Sequence, residues 1–214
     1  EVNSKVRSAL DHFKAFGAIV EEVSIPLHLE APALLTPIYF EGGTQTMMHG
    51  DGYGVSRSDL YSTSLMDFHR NWRVRANELP PTVKLVTLLG TYIRKNHGSR
   101  YYGKSINLTR MLRSAYDEKL SNYDLLVMPT TAAKAQAIPQ PGASIMEVVQ
   151  SALPLYLNGN TQPFNATHHP AMAVPCGMSQ GLPISLMLIG KHFDEPTIYR
   201  AAHAFQESID WKTI

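Results

Sequence analysis

The run Asn160-Thr161-Gln162-Pro163-Phe164-Asn165-Ala166-Thr167-His168-His169-Pro170-Ala171-Met172-Ala173-Val174-Pro175-Cys176-Gly177 mixes short polar side chains with four positions of fixed or permissive backbone: Pro163, Pro170, Pro175 and Gly177. Such a segment holds a rigid, non-repetitive path and offers amide and hydroxyl groups to its surroundings. Taken alone, it is also what a surface loop between a helix and a strand looks like. Its sequel is more specific. Residues 160–170 are expected to be irregular, 171–175 a strand, 177–183 a turn and 184–190 a second, continuously apolar strand.

Working outward, Pro196 sits where a first helical turn tolerates proline, and it predicts a last helix running to about residue 209. Upstream, Asp124-Leu125-Leu126-Val127-Met128-Pro129 is a short apolar run ended by proline, the mark of a strand buried on both faces. Residues 144–157 predict a helix that Pro154 kinks or interrupts. Residues 101–120 predict an amphipathic helix through Ile106, Leu108, Met111, Leu112, Ala115, Tyr116 and Leu120. Further helices are expected over 33–48, 60–76 and 80–96, with Gly50-Asp51-Gly52-Tyr53-Gly54 as a loop. The chain opens on a helix with apolar positions Val2, Val6, Ala9, Leu10, Phe13 and Phe16, a glycine stop at Gly17, and a loosely alternating strand over 18–25. Strands mixed with longer helices predict an α/β class, and a helix with no strand before it looks like a fold entered midway.

The 214 residues are 44% apolar and 17% charged, which fits a folded domain and excludes disorder as a class. A net charge of +1 gives no field for nucleic acid or an anionic membrane, and no apolar run nears the roughly eighteen residues a membrane span needs. Cys176 is the only cysteine, so no disulfide closes within the chain. With no secretory leader pattern at the start, a cytoplasmic location is the expectation, and Asn107-Leu-Thr and Asn165-Ala-Thr read as chance glycosylation matches. Beginning at Glu1 is compatible with a processed or trimmed chain.

The segment Asn160–Gly177, the following Gly181-Leu182-Pro183, the apolar strand to Gly190, the His192-Phe193-Asp194-Glu195 stretch and Ala204-Phe205 together resemble the C-terminal part of the amidase-signature family. Upstream, Asp124-x-Leu-x-x-Met-Pro-Thr is similar to that family's strand before its active-site region. Gly52-Tyr53-Gly54 and Tyr102-Gly103-Lys104 resemble the bacterial subgroup often encoded beside nitrile hydratases. One departure is His168, where relatives usually carry glycine; if that turn needs a positive φ, histidine is an uncomfortable occupant. The resemblance implies part of a large mixed β-sheet covered by helices, incomplete over residues 1–214. It also implies carboxamide hydrolysis by a serine nucleophile, a second serine in a cis peptide and a lysine base.

That machinery lies, by the resemblance, in an N-terminal portion that precedes these residues, so no catalytic residue is expected here. Gly42-Gly43-Thr44 lacks adjacent serines, Ser56, Ser58, Ser62, Ser64 and Ser99 lack a glycine-serine context, and Lys104 and Ser105 diverge on a helix. What the resemblance transfers is a substrate-pocket wall: Leu155 and Asn158, then Leu35, Thr36 and Phe164. Asn160, Asn165 and Thr167 are expected to brace the loop through side-chain bonds to backbone. No cofactor is implied, and no metal: His168 and His169 are adjacent, without a Cys, Asp or Glu at ligand spacing. Arg73, Arg75, Arg94, Lys95 and Arg100 read as a solvated face. The implied partners are a small carboxamide and the enzyme's N-terminal portion, and a homodimer is compatible with these. A non-catalytic structural or interaction subunit built on the same fold is the alternative.

Overall fold

The computed structural model describes residues 1–54, 60–157 and 159–213, with the side chains of 154–157 excepted. In chain order the regular elements are α1 (Val2–Ala15), α2 (Ala31–Pro37), α3 (Thr63–His69), α4 (Pro81–His97), α5 (Arg100–Leu120), β1 (Leu125–Pro129), α6 (Ile145–Leu157), α7 (Gln162–Thr167), β2 (Ala171–Ser179), β3 (Leu182–Gly190) and α8 (Glu195–Ser208). They fall into two compact units, one of residues 1–32, 109–138 and 153–214, the other of 33–108 and 139–152. None of the described helices is long and apolar enough to cross a membrane.

The first unit is built on an antiparallel sheet of order β1-β3-β2. β2 and β3 are joined by Gln180-Gly181, both at positive φ (51° and 76°), the backbone of a tight type I′ hairpin whose twist matches its strands. The turn is therefore narrower than the 177–183 span expected from sequence, and both strands run further. The register shifts by one between Pro175 and Gly177, a bulge at the position where proline offers no ladder N–H. One sheet face presents Val174, Cys176, Ile184, Leu186 and Leu188. Against it α1 sets Val2, Val6 and Ala9, and α8 sets Ile198, Ala202 and Phe205, each at spacing i, i+4, i+7. Phe13 stacks on Phe205 with ring centroids 5.1 Å apart. Leu126, Met187 and Ile189 are buried on the opposite face, whereas Ala171 and Ala173 of β2 stay exposed there.

Two expectations fail in this unit. Residues 18–25 form no strand: Ile19 is 88% exposed, and alternation without a partner strand cannot close a ladder. Side chains anchor the segment instead, Arg7 to Glu22 at 2.9 Å and Tyr123 Oη to Glu21 at 2.6 Å. Residues 160–170 are not wholly irregular, because Pro163 lies in the first turn of the short helix α7 and is buried with Phe164 and Thr167.

In the second unit the helix expected over 33–48 is α-helical only through Pro37, and two π-helical segments follow, Ile38–Gly42 and Thr44–His49. Pro37 has no N–H to continue the α ladder, and the wider turn takes over after it. Gly90 of α4 packs against this wide segment so closely that a β-carbon there would overlap Phe40 O and Thr44 Oγ1. The helix expected over 60–76 is a short α3 followed by 3₁₀ turns, Arg70–Val74 and Ala76–Glu78. Arg73 is not a merely solvated charge. It donates to Met48 O, His49 O and Asp51, satisfying carbonyls where the π segment ends, and it holds the Asp51 carboxyl below the ordinary carboxylate range. Helix α6 begins with a reciprocal cap, Ser144 N–H to Glu147 and Glu147 N–H to Ser144 Oγ.

Candidate functional site

The exposed alanines of β2 leave room on the second sheet face of the first unit, and α7 closes part of it. The result is a cleft of about 280 Å³ whose lining includes Phe164, Asn165, His169, Ala173, Met187 and Thr130. None of the lining groups is a carboxylate, lysine or arginine. The Thr130 hydroxyl is buried without a hydrogen-bond partner among the described residues, so it stands ready to bind a polar group entering the cleft. A second depression, of about 490 Å³, is lined by the single stretch 206–212 and brings no distant groups together.

Behind the cleft runs a chain of hydrogen bonds. Asn160 donates from Nδ2 to Pro129 O at 2.6 Å, at the end of β1, and its Oδ1 lies 3.3 Å from His28 Nε2. With Nε2–H donating to that amide oxygen, His28 Nδ1 is left as acceptor for the Tyr116 hydroxyl 2.6 Å away. Tyr116 is fully buried, and burial pushes its phenol far above the ordinary range. Its ring lies 5.0 Å from that of Phe164. A connection between residues 132 positions apart thus ties the start of the Asn160 segment to α5 and β1.

Helix α7 ends on His168 in the left-handed conformation, φ 63° and ψ 20°. The turn that raised doubt about histidine does need a positive φ. It also parts the two histidines: His168 is exposed while His169 turns inward. There His169 Nδ1 meets Thr167 Oγ1 at 3.0 Å and Nε2 meets Asp117 Oδ1 at 3.1 Å. The His192 ring lies over it at 4.2 Å between centroids. Burial, then the neighbouring His192, lowers the His169 pKa against the opposing pull of Asp117. Asp117 stands 52 residues away in sequence, so ligand spacing along the chain gave no sign of this convergence.

The wall positions expected from sequence distribute as follows. Phe164 is buried in the first unit and lines the cleft, and Asn165 lines it with an exposed side chain. Leu35, buried, and Thr36, half-buried, belong to the second unit. Asn158 lies outside the described residues, as do Ser56, Ser58 and the side chain of Leu155. Thr167 bonds to the His169 ring. Lys104 and Ser105 sit on successive positions of α5, one exposed and one buried, which does not make a base and nucleophile pair. Cys176 is buried in the core between sheet and helices, and burial raises its thiol to about 11, the opposite of an activated nucleophile.

Comparison with known proteins agrees with this architecture. The model of the amidase family matches residues 1–199. An enantioselective amidase of Rhodococcus rhodochrous is 37% identical over 210 residues, spanning 97% of this chain and 40% of its own length. An uncharacterised protein from the nthA 5′ region of Rhodococcus erythropolis is 38% identical over 168 residues, 78% of this chain and 83% of that protein. Among solved structures, a bacterial aryl acylamidase of the amidase-signature family superposes with a TM-score of 0.72 at 18% identity, over 98% of this chain and 40% of its own. The chain thus spans about 40% of the length of the named amidases it matches, and it belongs to the amidase family.

Proposed function

We propose that these residues supply sheet and one wall of the substrate pocket in an amidase that hydrolyses small neutral carboxamides to the carboxylic acid and ammonia. The family match across residues 1–199 carries this reading. In it, the nucleophilic serine, the cis-peptide serine and the lysine base come from the N-terminal portion of the same enzyme, which packs against the sheet. Phe164, with Leu155 and Asn158, shapes the acyl side of the pocket, and Asn160, Asn165 and Thr167 hold the loop behind it. The cleft beside Phe164 supports a neutral substrate, since its lining has no carboxylate or fixed cation to pair with a charged one, and the Thr130 hydroxyl suits an amide. Amides formed by nitrile hydration are the substrate class that the resembled subgroup points to, in a cytoplasmic enzyme needing no cofactor. Small amides also suit a cleft of only about 280 Å³.

Ammonia release from propionamide and benzamide tests this. Activity is expected from the full-length enzyme and none from residues 1–214 alone. Phe164→Ala is expected to raise KM for benzamide more than for propionamide. Turnover by the 214-residue chain that is lost on changing Cys176 or one of its own serines would sink the assignment. Inactivity of the full-length protein on every amide tried would favour a structural subunit.

A further inference from the structure

We propose that Asp117, His169 and His192 form a binding site for a first-row divalent cation, zinc fitting best, that clamps together the end of α5, the link between α7 and β2, and the segment after β3. The three side chains each turn one ligand atom to a common point, all within 4.8 Å of one another. Asp117 Oδ1 lies 3.1 Å from His169 Nε2 and 3.8 Å from His192 Nε2. Ligands of a tetrahedral zinc, bonded at about 2.0–2.1 Å, stand roughly 3.3 Å apart, so these separations bracket what the ion requires.

A second observation points the same way. His192 Nε2 is buried and has no hydrogen-bond partner among the described residues, an orphaned nitrogen aimed at the Asp117 carboxylate. A cation at the common point gives it a partner. The surroundings suit both states. Without the ion, His169 Nε2–H donates to Asp117 and the Thr167 hydroxyl donates to Nδ1. With it, the ring proton sits on Nδ1 and is donated to Thr167 Oγ1, freeing the Nε2 lone pair. Arg113 faces the other carboxylate oxygen, Oδ2, at 3.9 Å and leaves Oδ1 turned to the histidines. Two imidazole nitrogens and one carboxylate oxygen are a donor set for zinc rather than calcium or magnesium. Asp117 is half-exposed, which gives the ion an entry path and a water in the fourth position. His169 also lines the cleft beside Phe164, but ion binding is read without any amide substrate, so the site stands or falls apart from the hydrolysis proposed above.

Zinc chloride titrated calorimetrically into the chelator-treated full-length protein tests the site, with cobalt(II) as a spectroscopic probe. One ion per chain is expected, with visible cobalt d–d absorption of four- or five-fold coordination, and a melting temperature raised by about 2–3 °C at a hundredfold excess over Kd. Asp117→Asn keeps the packing and His192→Ala removes a ligand; each is expected to weaken binding at least tenfold. His168→Gly, at the neighbouring exposed histidine, is expected to bind as the parent does. Absence of saturable binding overturns the site. So does binding unchanged in both Asp117→Asn and His192→Ala, which would place the ion among the other histidines of the chain.

Discussion

The Tyr116 hydroxyl lies 2.6 Å from His28 Nδ1, at the buried end of a chain of hydrogen bonds that continues through Asn160 to Pro129 O. His28 and Asn160 each accept one bond and donate the next in a single sense, between the donor Tyr116 and the acceptor Pro129 O, so removing the terminal donor strands the next acceptor. Tyr116→Phe keeps the ring and deletes only the hydroxyl. It is expected to cost about 1–2 kcal/mol. His28→Ala breaks both bonds and costs more. Urea denaturation of the full-length protein measures both, and a double-mutant cycle with Asn160→Ala is expected to show coupling. Additive effects would mean that the chain does not act as a unit.

Gly90→Ala is expected to destabilise by about 3 kcal/mol or more, although alanine is the better helix former by about 1 kcal/mol. The added methyl would overlap the backbone oxygen of Phe40 and the side chain of Thr44, whose Oγ1 is already committed to Val86 O at 3.1 Å. Carbonyls of a regular element cannot swing aside as a flexible side chain can. Gly103, with nothing near its absent β-carbon, is the control, and Gly103→Ala is expected to be neutral or mildly stabilising. Equal midpoints for the two variants would refute the close packing.

Local pattern was legible where local chemistry decides the outcome. The apolar run of β3, the proline in the first turn of α8 and the periodicity of α5 were each enough to place their elements. Residues 18–25 show the limit, since their alternation is local but a ladder needs a distant partner. The π segments after Pro37 were hidden for a related reason: their register depends on Gly90, some forty positions on, giving them room. At the cleft, prolines announced a rigid stretch around Phe164. Nothing along the chain showed that Asn160 would meet His28 or that Asp117 and His192 would gather at His169, because those meetings are made by the tertiary fold.

His168→Gly is expected to stabilise by about 0.5 kcal/mol. A non-glycine residue in the left-handed region costs about 1–2 kcal/mol, and the extra unfolded-state freedom of glycine offsets part of the relief. His168 is exposed at φ 63°, so little packing is lost with its ring. Thermal denaturation at a pH where histidines are neutral checks this. A variant less stable than the parent would show that the imidazole makes a contribution beyond its backbone.

Cys176 makes a prediction about pH. Its thiol is buried in the sheet–helix core and raised to about 11 from an ordinary value near 9. Only the thiolate reacts readily, so alkylation of the native protein by iodoacetamide at pH 8 is expected to be slower by at least a hundredfold than after denaturation in urea. The linkage has a definite sign. Between about pH 9 and 11 the unfolded chain has lost the thiol proton while the native one still holds it, so stability falls as pH rises through that window. Cys176→Ser removes this titration, and the difference in stability between parent and variant is expected to shrink from pH 8 to pH 11. A gap that stays constant, or rapid native alkylation at pH 8, would place the thiol in contact with solvent.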